Sequence, residues 1–280
     1  MKHCISYWSM PQGLENTHPI DDALARARAA DFDGIELCIA TEGALSVDTQ
    51  QAACDGFRSA AADAGLALET LASGMTWGAN PVSNDADVRE RSLAQHERAL
   101  ERAGWLGCDA MLYIPGIVNS PIAPGEHVRP DAAVARAREN VKRLLDAAER
   151  HGVTLALENV WNGLFYDAAA FCDFIDSFGS DRLGAYLDVG NLIGIHQWPP
   201  HWIEMLGHRV ARVHVKDFSH SFDWQGTYDF CMLGEGDVPW RETMTALSGI
   251  GYDRTLTAEM LPHREGLLAD TRAALRRVAG

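Results

Sequence analysis

Three carboxylates and one imidazole stand near the ends of four apolar runs. They are Glu158 in TLALENV (154–160), Asp188 in LGAYLDV (183–189), His214 in RVHVKDF (212–218) and Glu259 in TLTAEML (255–261). Side chains of a β-strand alternate between its two faces. By that parity Leu155 and Leu157 oppose Glu158, Leu183 and Leu187 oppose Asp188, Val213 and Val215 oppose His214, and Leu256 and Met260 oppose Glu259. Three carboxylates gathered at one place repel one another and resist ionising, and a divalent cation removes that conflict. Three oxygens and one imidazole nitrogen suit manganese, magnesium, cobalt or zinc, and do not make a thiolate site. Any one of these carboxylates alone could instead cap the next helix or pair with a base. Four such groups in successive runs, all with the same parity, point to one shared metal ion.

Two further residues share the inward parity. Lys216 lies two residues beyond His214, where its ammonium could bind a substrate oxygen or a phosphate, or form a salt bridge to a neighbouring carboxylate. Glu36, near the end of DGIELCI (33–39), could contact substrate or cap a helix.

For these groups to meet, the runs must be strands of one sheet. Four more runs precede them: KHCISYW (2–8), DGIELCI (33–39), LALETLA (66–72) and DAMLYIP (109–115). Between the runs lie helix-like segments such as 21–30, 84–104 and 130–152. The second of these opens on acidic residues and closes on Gly104; the third has Pro130 and Asp131 in its first turn and Gly152 at its end. Eight β-then-α units in series predict an α/β protein with a parallel sheet, and eight is the number that closes a (β/α)8 TIM barrel. Barrel enzymes place their sites at the C-terminal ends of the strands, which is where the four residues fall. An open doubly wound sheet is the competing architecture. It usually carries a glycine-rich phosphate turn after its first strand, and WSMPQGLENTHP contains no G-x-G-x-x-G. A chain of 280 residues, 47% hydrophobic, with no low-complexity linker, is read as a single barrel domain over 1–280.

The balance of 39 acidic against 24 basic residues, a formal charge of -15, disfavours a nucleic-acid partner. Six scattered cysteines without a Cys-x-x-Cys pair argue against a zinc ribbon or redox motif and fit a reducing cytoplasm. With no signal-peptide core and no run of 18 apolar residues, neither export nor a membrane partner is expected. A homo-oligomer is compatible with the sequence.

The ordered motifs LEN (157–159), DVGNL (188–192), HVKD (214–217), GEGDVPW (234–240) and TAEM (257–260) resemble the xylose-isomerase-like barrel superfamily of sugar isomerases and epimerases. They are most similar to its ketose and ketose-phosphate 3-epimerase branch. That resemblance implies that Glu158, Asp188, His214 and Glu259 bind one metal, usually manganese, and that Glu158 and Glu259 act as acid and base. The chain departs from the free-ketose enzymes of the branch at three places. Leu164 stands where they have glutamate, Asn191 where they have histidine, and His220, a candidate substrate-binding residue, where they have arginine.

The expected activity is therefore a metal-dependent epimerisation or isomerisation of a sugar or sugar phosphate. A proton is removed next to a carbonyl and returned, through a metal-stabilised enediolate. A keto-polyol dehydratase and a non-catalytic sugar-binding barrel are the alternatives. The superfamily also contains AP endonucleases, but the acidic charge and the four-residue ligand set argue against DNA repair. The segment 218–240, with Trp224, Tyr228 and Phe230, is long for a βα connection and could form a lid or cavity wall. Trp77 and Trp161 could floor a sugar site or pack in the core.

Overall fold

The computed structural model describes residues 1–123, 125–221 and 227–280. Its strands are β1 (Lys2–Ser6), β2 (Gly34–Ile39), β3 (Thr70–Ser73), β4 (Ala110–Tyr113), β5 (Thr154–Glu158), β6 (Leu183–Asp188), β7 (Val210–Val215), β8 (Asp217–His220), β9 (Tyr228–Cys231) and β10 (Thr255–Ala258). Eight of them close a parallel barrel in the order β1-β10-β7-β6-β5-β4-β3-β2, while β8 and β9 pair separately as an antiparallel hairpin. The helices are α1 (Ile20–Ala29), α2 (Gln51–Asp63), α3 (Ala86–Leu106), α4 (Pro130–His151), α5 (Ala168–Asp176), α6 (Val189–Gly194), α7 (Pro199–Leu206), α8 (Trp240–Gly249) and α9 (Leu267–Ala279). This is the (β/α)8 barrel that the alternation of runs predicts.

The barrel follows from the run composition. Leu155, Leu157, Leu187, Val213 and Leu256 are fully buried in the hydrophobic core, which is where side chains of strands covered by helices belong. The opposite parity faces inward and is polar. Tyr186 on β6 donates a hydrogen bond to Glu36 on β2, two strands that do not pair, so both side chains lie inside the barrel. One irregularity sets the register near the site. Ala185 pairs with Val210 but Tyr186 with Arg212, so Ala211 is skipped and Asp188 lies opposite His214.

Three element boundaries differ from the sequence expectation. The helix expected to close on Gly104 continues to Leu106 and is capped by Gly107 at φ +79°. Gly104 is a packing position instead: a Cβ there would stand 3.1 Å from the backbone oxygen of His151. The run at 66–72 becomes a strand only from Thr70, with Ala67 making a single bridge to Gly34. The run at 212–218 leaves the barrel after Val215 and turns into β8.

Asp217 causes that turn. Its carboxylate accepts from the amides of Gly234 and Val238, at 2.8 and 3.1 Å, and from Trp240 Nε1 at 2.8 Å. It thereby ties the GEGDVPW segment back to the barrel rim. The expected lid segment is thus partly a hairpin; Trp224 lies outside the described residues. Among the described residues no helix is long and apolar enough to cross a membrane.

Candidate metal centre and cavity

Glu158 ends β5, Asp188 ends β6, His214 lies one residue before the end of β7, and Glu259 directly follows β10. One donor atom from each of the four lies within 4.8 Å of the others, and all four residues are buried. The structure therefore brings together the set read from strand parity.

Local contacts orient each group. Asp188 splits its two oxygens between the two roles open to a strand-end carboxylate. Oδ1 accepts from the amide of Asn191 at 2.9 Å and caps α6; Oδ2 is buried without a directed hydrogen bond. Asn159 holds the β6 end from the side. Its Oδ1 accepts from the Asp188 amide at 2.9 Å and its Nδ2 donates to the Asp188 carbonyl at 2.8 Å. Asn191 reaches back, donating to the carbonyl of Asn159 at 3.0 Å and, more weakly, to Glu158 Oε1 at 3.4 Å.

His214 is oriented from below. Its Nε2 lies 2.8 Å from Glu36 Oε1, which leaves Nδ1 on the side of Glu259 and Asp188. Metal-binding imidazoles commonly give their second nitrogen to a carboxylate in this way. Glu36 has no exposed surface, and its two oxygens meet Tyr186 and His214. Its place is thus beneath the histidine, not in the cavity wall where the sequence expectation of substrate contact would put it. Burial, and then the charge of Glu36, raise the Tyr186 pKa well above its ordinary value, so the hydroxyl keeps its proton and donates it.

Lys216 projects into the cluster. Its ammonium lies 2.8 Å from Glu259 Oε2 and 3.1 Å from Asp188 Oδ2, a salt bridge to both carboxylates. The side chain also reaches the cavity and lies over the ring of Phe230 at 5.4 Å. His220 is on the hairpin, away from the cavity wall, with its Nδ1 2.9 Å from Asp237. Leu164 is buried outside the cavity lining, whereas Asn191 is part of it.

The electrostatics are those of a crowded buried site. Burial, reinforced by the charges of Glu259 and Asp188 against the opposing Lys216, pushes the pKa of Glu158 up to about 8. Burial likewise raises Asp188, against the opposing pull of Lys216. Glu259 goes the other way: burial opposes its charge, but Lys216 and His214 outweigh it and hold the carboxyl at about 2. Burial disfavours the His214 imidazolium, yet Glu36 and Glu259 raise its pKa well above the ordinary value.

A divalent cation fits this set. Asp188 Oδ2, His214 Nδ1 and Glu259 Oε2 are buried and meet only one another and the Lys216 ammonium, in contacts without good hydrogen-bond geometry. Once Glu158 and His214 have given up their protons, three carboxylates around one lysine carry an excess of two negative charges, which a dication would neutralise. The donors are hard oxygens and one imidazole, the chemistry of manganese, magnesium, cobalt or zinc.

The cluster opens onto a cavity of about 590 Å³ at the C-terminal mouth of the barrel. Trp8, Trp77, Trp161 and Phe230 contribute aromatic wall, and Trp161 stacks on Phe230 at 5.1 Å between ring centres. Both expected tryptophans therefore line the cavity and also pack against the core. Of the four cluster residues, only Glu158 and Glu259 line it; Asp188 and His214 lie wholly beneath. Trp8, Asn159 and Tyr186 were not singled out by sequence. Asn159 carried a signal as part of the LEN motif, and Tyr186 through the inward parity that it shares with Asp188.

The family model of xylose isomerase-like TIM barrels matches residues 24–278. The chain belongs to that family. Among curated relatives, the 3-oxo-isoapionate decarboxylase of Pectobacterium atrosepticum is 35% identical over 96 residues, 33% of this chain and 34% of the relative. An uncharacterized protein of Methanocaldococcus jannaschii is 24% identical over 185 residues, 64% of this chain and 60% of the relative. The matches thus span about a third and three-fifths of these relatives' lengths. Among solved structures of this xylose isomerase-like fold, D-psicose 3-epimerase from Clostridium cellulolyticum H10, with D-tagatose, superposes with a TM-score of 0.80. It is 20% identical, over 100% of this chain and 99% of that one.

Proposed function

We propose that this protein is a metal-dependent epimerase or isomerase of a ketose or related oxo-sugar. Glu158 and Glu259 are its acid–base pair. The observation that carries this reading is the division of labour in the cluster: of the four candidate ligands, only the two glutamates line the cavity. They stand at the ends of β5 and β10, with β6 and β7 between them in the barrel, so a substrate above the cluster lies between two carboxyl groups.

Epimerisation next to a carbonyl needs a proton taken from one face of a carbon and delivered to the other. A divalent cation held by Glu158, Asp188, His214 and Glu259 would supply positive charge that stabilises the enediolate. One glutamate takes the carbon-bound proton as base and the other returns a proton from the opposite face. Asp188 and His214 have no access to the substrate; they would hold the ion, and Asp188 also caps α6. The aromatic wall of Trp8, Trp77 and Trp161 offers apolar faces to a sugar and excludes water from the reacting carbon. Manganese is the ion expected from the family resemblance.

The test is carbon-bound deuterium uptake from heavy water into ketoses and ketose phosphates, with manganese-loaded protein. Glu158→Gln and Glu259→Gln should each slow uptake by about 10²–10⁴, the usual worth of general acid–base catalysis. Near wild-type uptake in either variant removes that residue from the mechanism. Uptake by none of the substrates sinks the reading.

A second reading, decarboxylation of an oxo-sugar acid, has one observation in its favour. The decarboxylase relative is 35% identical over its aligned segment, above the 20% of the epimerase from Clostridium cellulolyticum. There the carbon–carboxylate bond breaks, carbon dioxide leaves, its electron pair enters the same enediolate, and a glutamate protonates the carbon. Carbon dioxide release from a 3-oxo sugar acid, with no exchange in ketoses, would replace the first reading by this one.

A further inference from the structure

The wall opposite the metal-ligand cluster carries polar groups that the reaction chemistry leaves unused. In the barrel order, β3 stands across from β7, and β2 across from β6. Asn16 lies in the loop after β1, beside the loop after β2; Arg91 and Gln95 lie on α3, after β3. All three line the same cavity as Glu158 and Glu259.

Asn16 is built into the wall. It is 4% exposed and has a left-handed backbone, φ 55°. Its Nδ2 donates to the carbonyls of Glu42 at 2.7 Å and Leu45 at 2.8 Å. Both amide hydrogens are thereby used, which fixes the orientation of the group. The loop closes tightly over it: a Cβ at Gly43 would meet the Asn16 carbonyl oxygen at 2.1 Å. The remaining atom, Oδ1, is buried and has no partner. A buried acceptor left unpaired is destabilising, and a substrate hydroxyl would relieve it.

Arg91 and Gln95 are one helical turn apart and so share a face of α3. Arg91 is exposed at the cavity and forms no ion pair among the described residues. Gln95 makes no hydrogen bond among them, and its Oε1 is buried without a partner. A guanidinium fork with an adjacent amide is a set of N–H donors suited to a carboxylate or phosphate. In a protein of net charge -15, long-range fields repel an anionic substrate, so its capture needs a local cation.

We propose that this wall is a second recognition point: Arg91 and Gln95 hold an anionic group at the substrate end remote from the reacting carbon, and Asn16 Oδ1 accepts from a substrate hydroxyl. The substrate class is then an acidic oxo-sugar, either phosphorylated or carboxylated at its far end. This rests on the epimerase or isomerase reading for which end of the substrate lies at the metal. Lys216, the other cation of the cavity lining, is held by Asp188 and Glu259, which leaves Arg91 to receive the anion.

Three probes share one ketone end and differ only at C6: D-fructose, D-fructose 6-phosphate and D-fructuronate. Dissociation constants on the manganese-loaded protein are measured by calorimetry. One of the two anions should bind at least tenfold more tightly than D-fructose, and which of them does so identifies the group. Arg91→Gln should reduce that ratio to within about twofold of one, and Gln95→Leu should reduce it part of the way. Asn16→Ala, which removes the acceptor, should weaken all three probes by a similar factor. Equal affinity for all three probes overturns the proposal, as does no binding of any, or an anion preference that survives Arg91→Gln. Failure of the isomerase reading is separate: it appears as no deuterium uptake from any probe, whatever the affinity ratio.

Discussion

His214 Nε2 lies 2.8 Å from Glu36 Oε1, and this contact between β7 and β2 crosses the inside of the barrel. It leaves Nδ1 as the ring nitrogen facing Glu259 and Asp188. Glu36 is itself held by the hydroxyl of Tyr186. The candidate metal centre is therefore supported by a buried polar layer below it.

That support is testable through metal affinity. Glu36→Gln removes the charge that stabilises the Nε2–H of His214 and should weaken manganese binding by about 10–100-fold, the usual effect of losing such a partner. Circular dichroism should remain that of the wild type. Unaltered affinity in calorimetry would show that Glu36 does not orient the ligand.

Asp188 separates capping from ligation. Asp188→Asn keeps an oxygen for the Asn191 amide and loses the charge, so it should lower metal affinity at least tenfold. Asp188→Ala loses the cap as well, and should cost a further ~0.5–2 kcal/mol in unfolding free energy. Equal stability of the two variants in urea denaturation would deny Asp188 the capping role.

Lys216 supplies the positive charge nearest the three carboxylates. Lys216→Met should tighten manganese binding, because a cation that repels the ion is gone. It should also lower the melting temperature of the metal-free protein, because Asp188 and Glu259 lose their partner. A variant with weaker metal binding would show that the ammonium does not compete with the ion.

Metal uptake should depend on pH with a definite sign. The Glu158 carboxyl, at about 8 in the metal-free fold, holds a proton at neutral pH. His214, raised well above its ordinary value, holds one too. A metal must displace both protons, so apparent affinity should rise with pH by about tenfold per unit for each proton displaced, the Glu158 share levelling off near pH 8. For stability, the folded pKa of Glu158 lies above the unfolded value of 4.5, so the native state binds the extra proton. Its contribution is full below pH 4.5 and is lost as pH rises to about 8. Glu259, held at about 2, has the opposite sign; its contribution is present above 4.5 and is lost as pH falls toward 2. Titration in buffers of different ionisation enthalpy measures the proton release, and release that does not change between pH 6 and 8 would contradict the Glu158 assignment.

Much of this centre was legible in the sequence because strand parity is local. Leu157 beside Glu158, or Leu187 beside Asp188, states which face each carboxylate takes, and eight repeated βα units state that those faces converge. Parity cannot say how neighbouring strands align. Asp188 meets His214 only because the β6–β7 pairing skips Ala211, and that shift arises between Ala185–Tyr186 and Val210–Arg212, which lie far apart in sequence. Nor could parity separate the two fates of an inward glutamate. Glu36 and Glu158 read alike, yet Glu36 lies beneath His214 and Glu158 reaches the cavity, because their depth depends on the stagger of the closed barrel. Arg91, Gln95 and Asn16 carry no periodic signal that marks them. They line one cavity only because barrel closure brings α3 and the loops after β1 and β2 around a common mouth. Which residues could do chemistry was thus a property of the sequence, and which of them face the same space was decided by long-range packing.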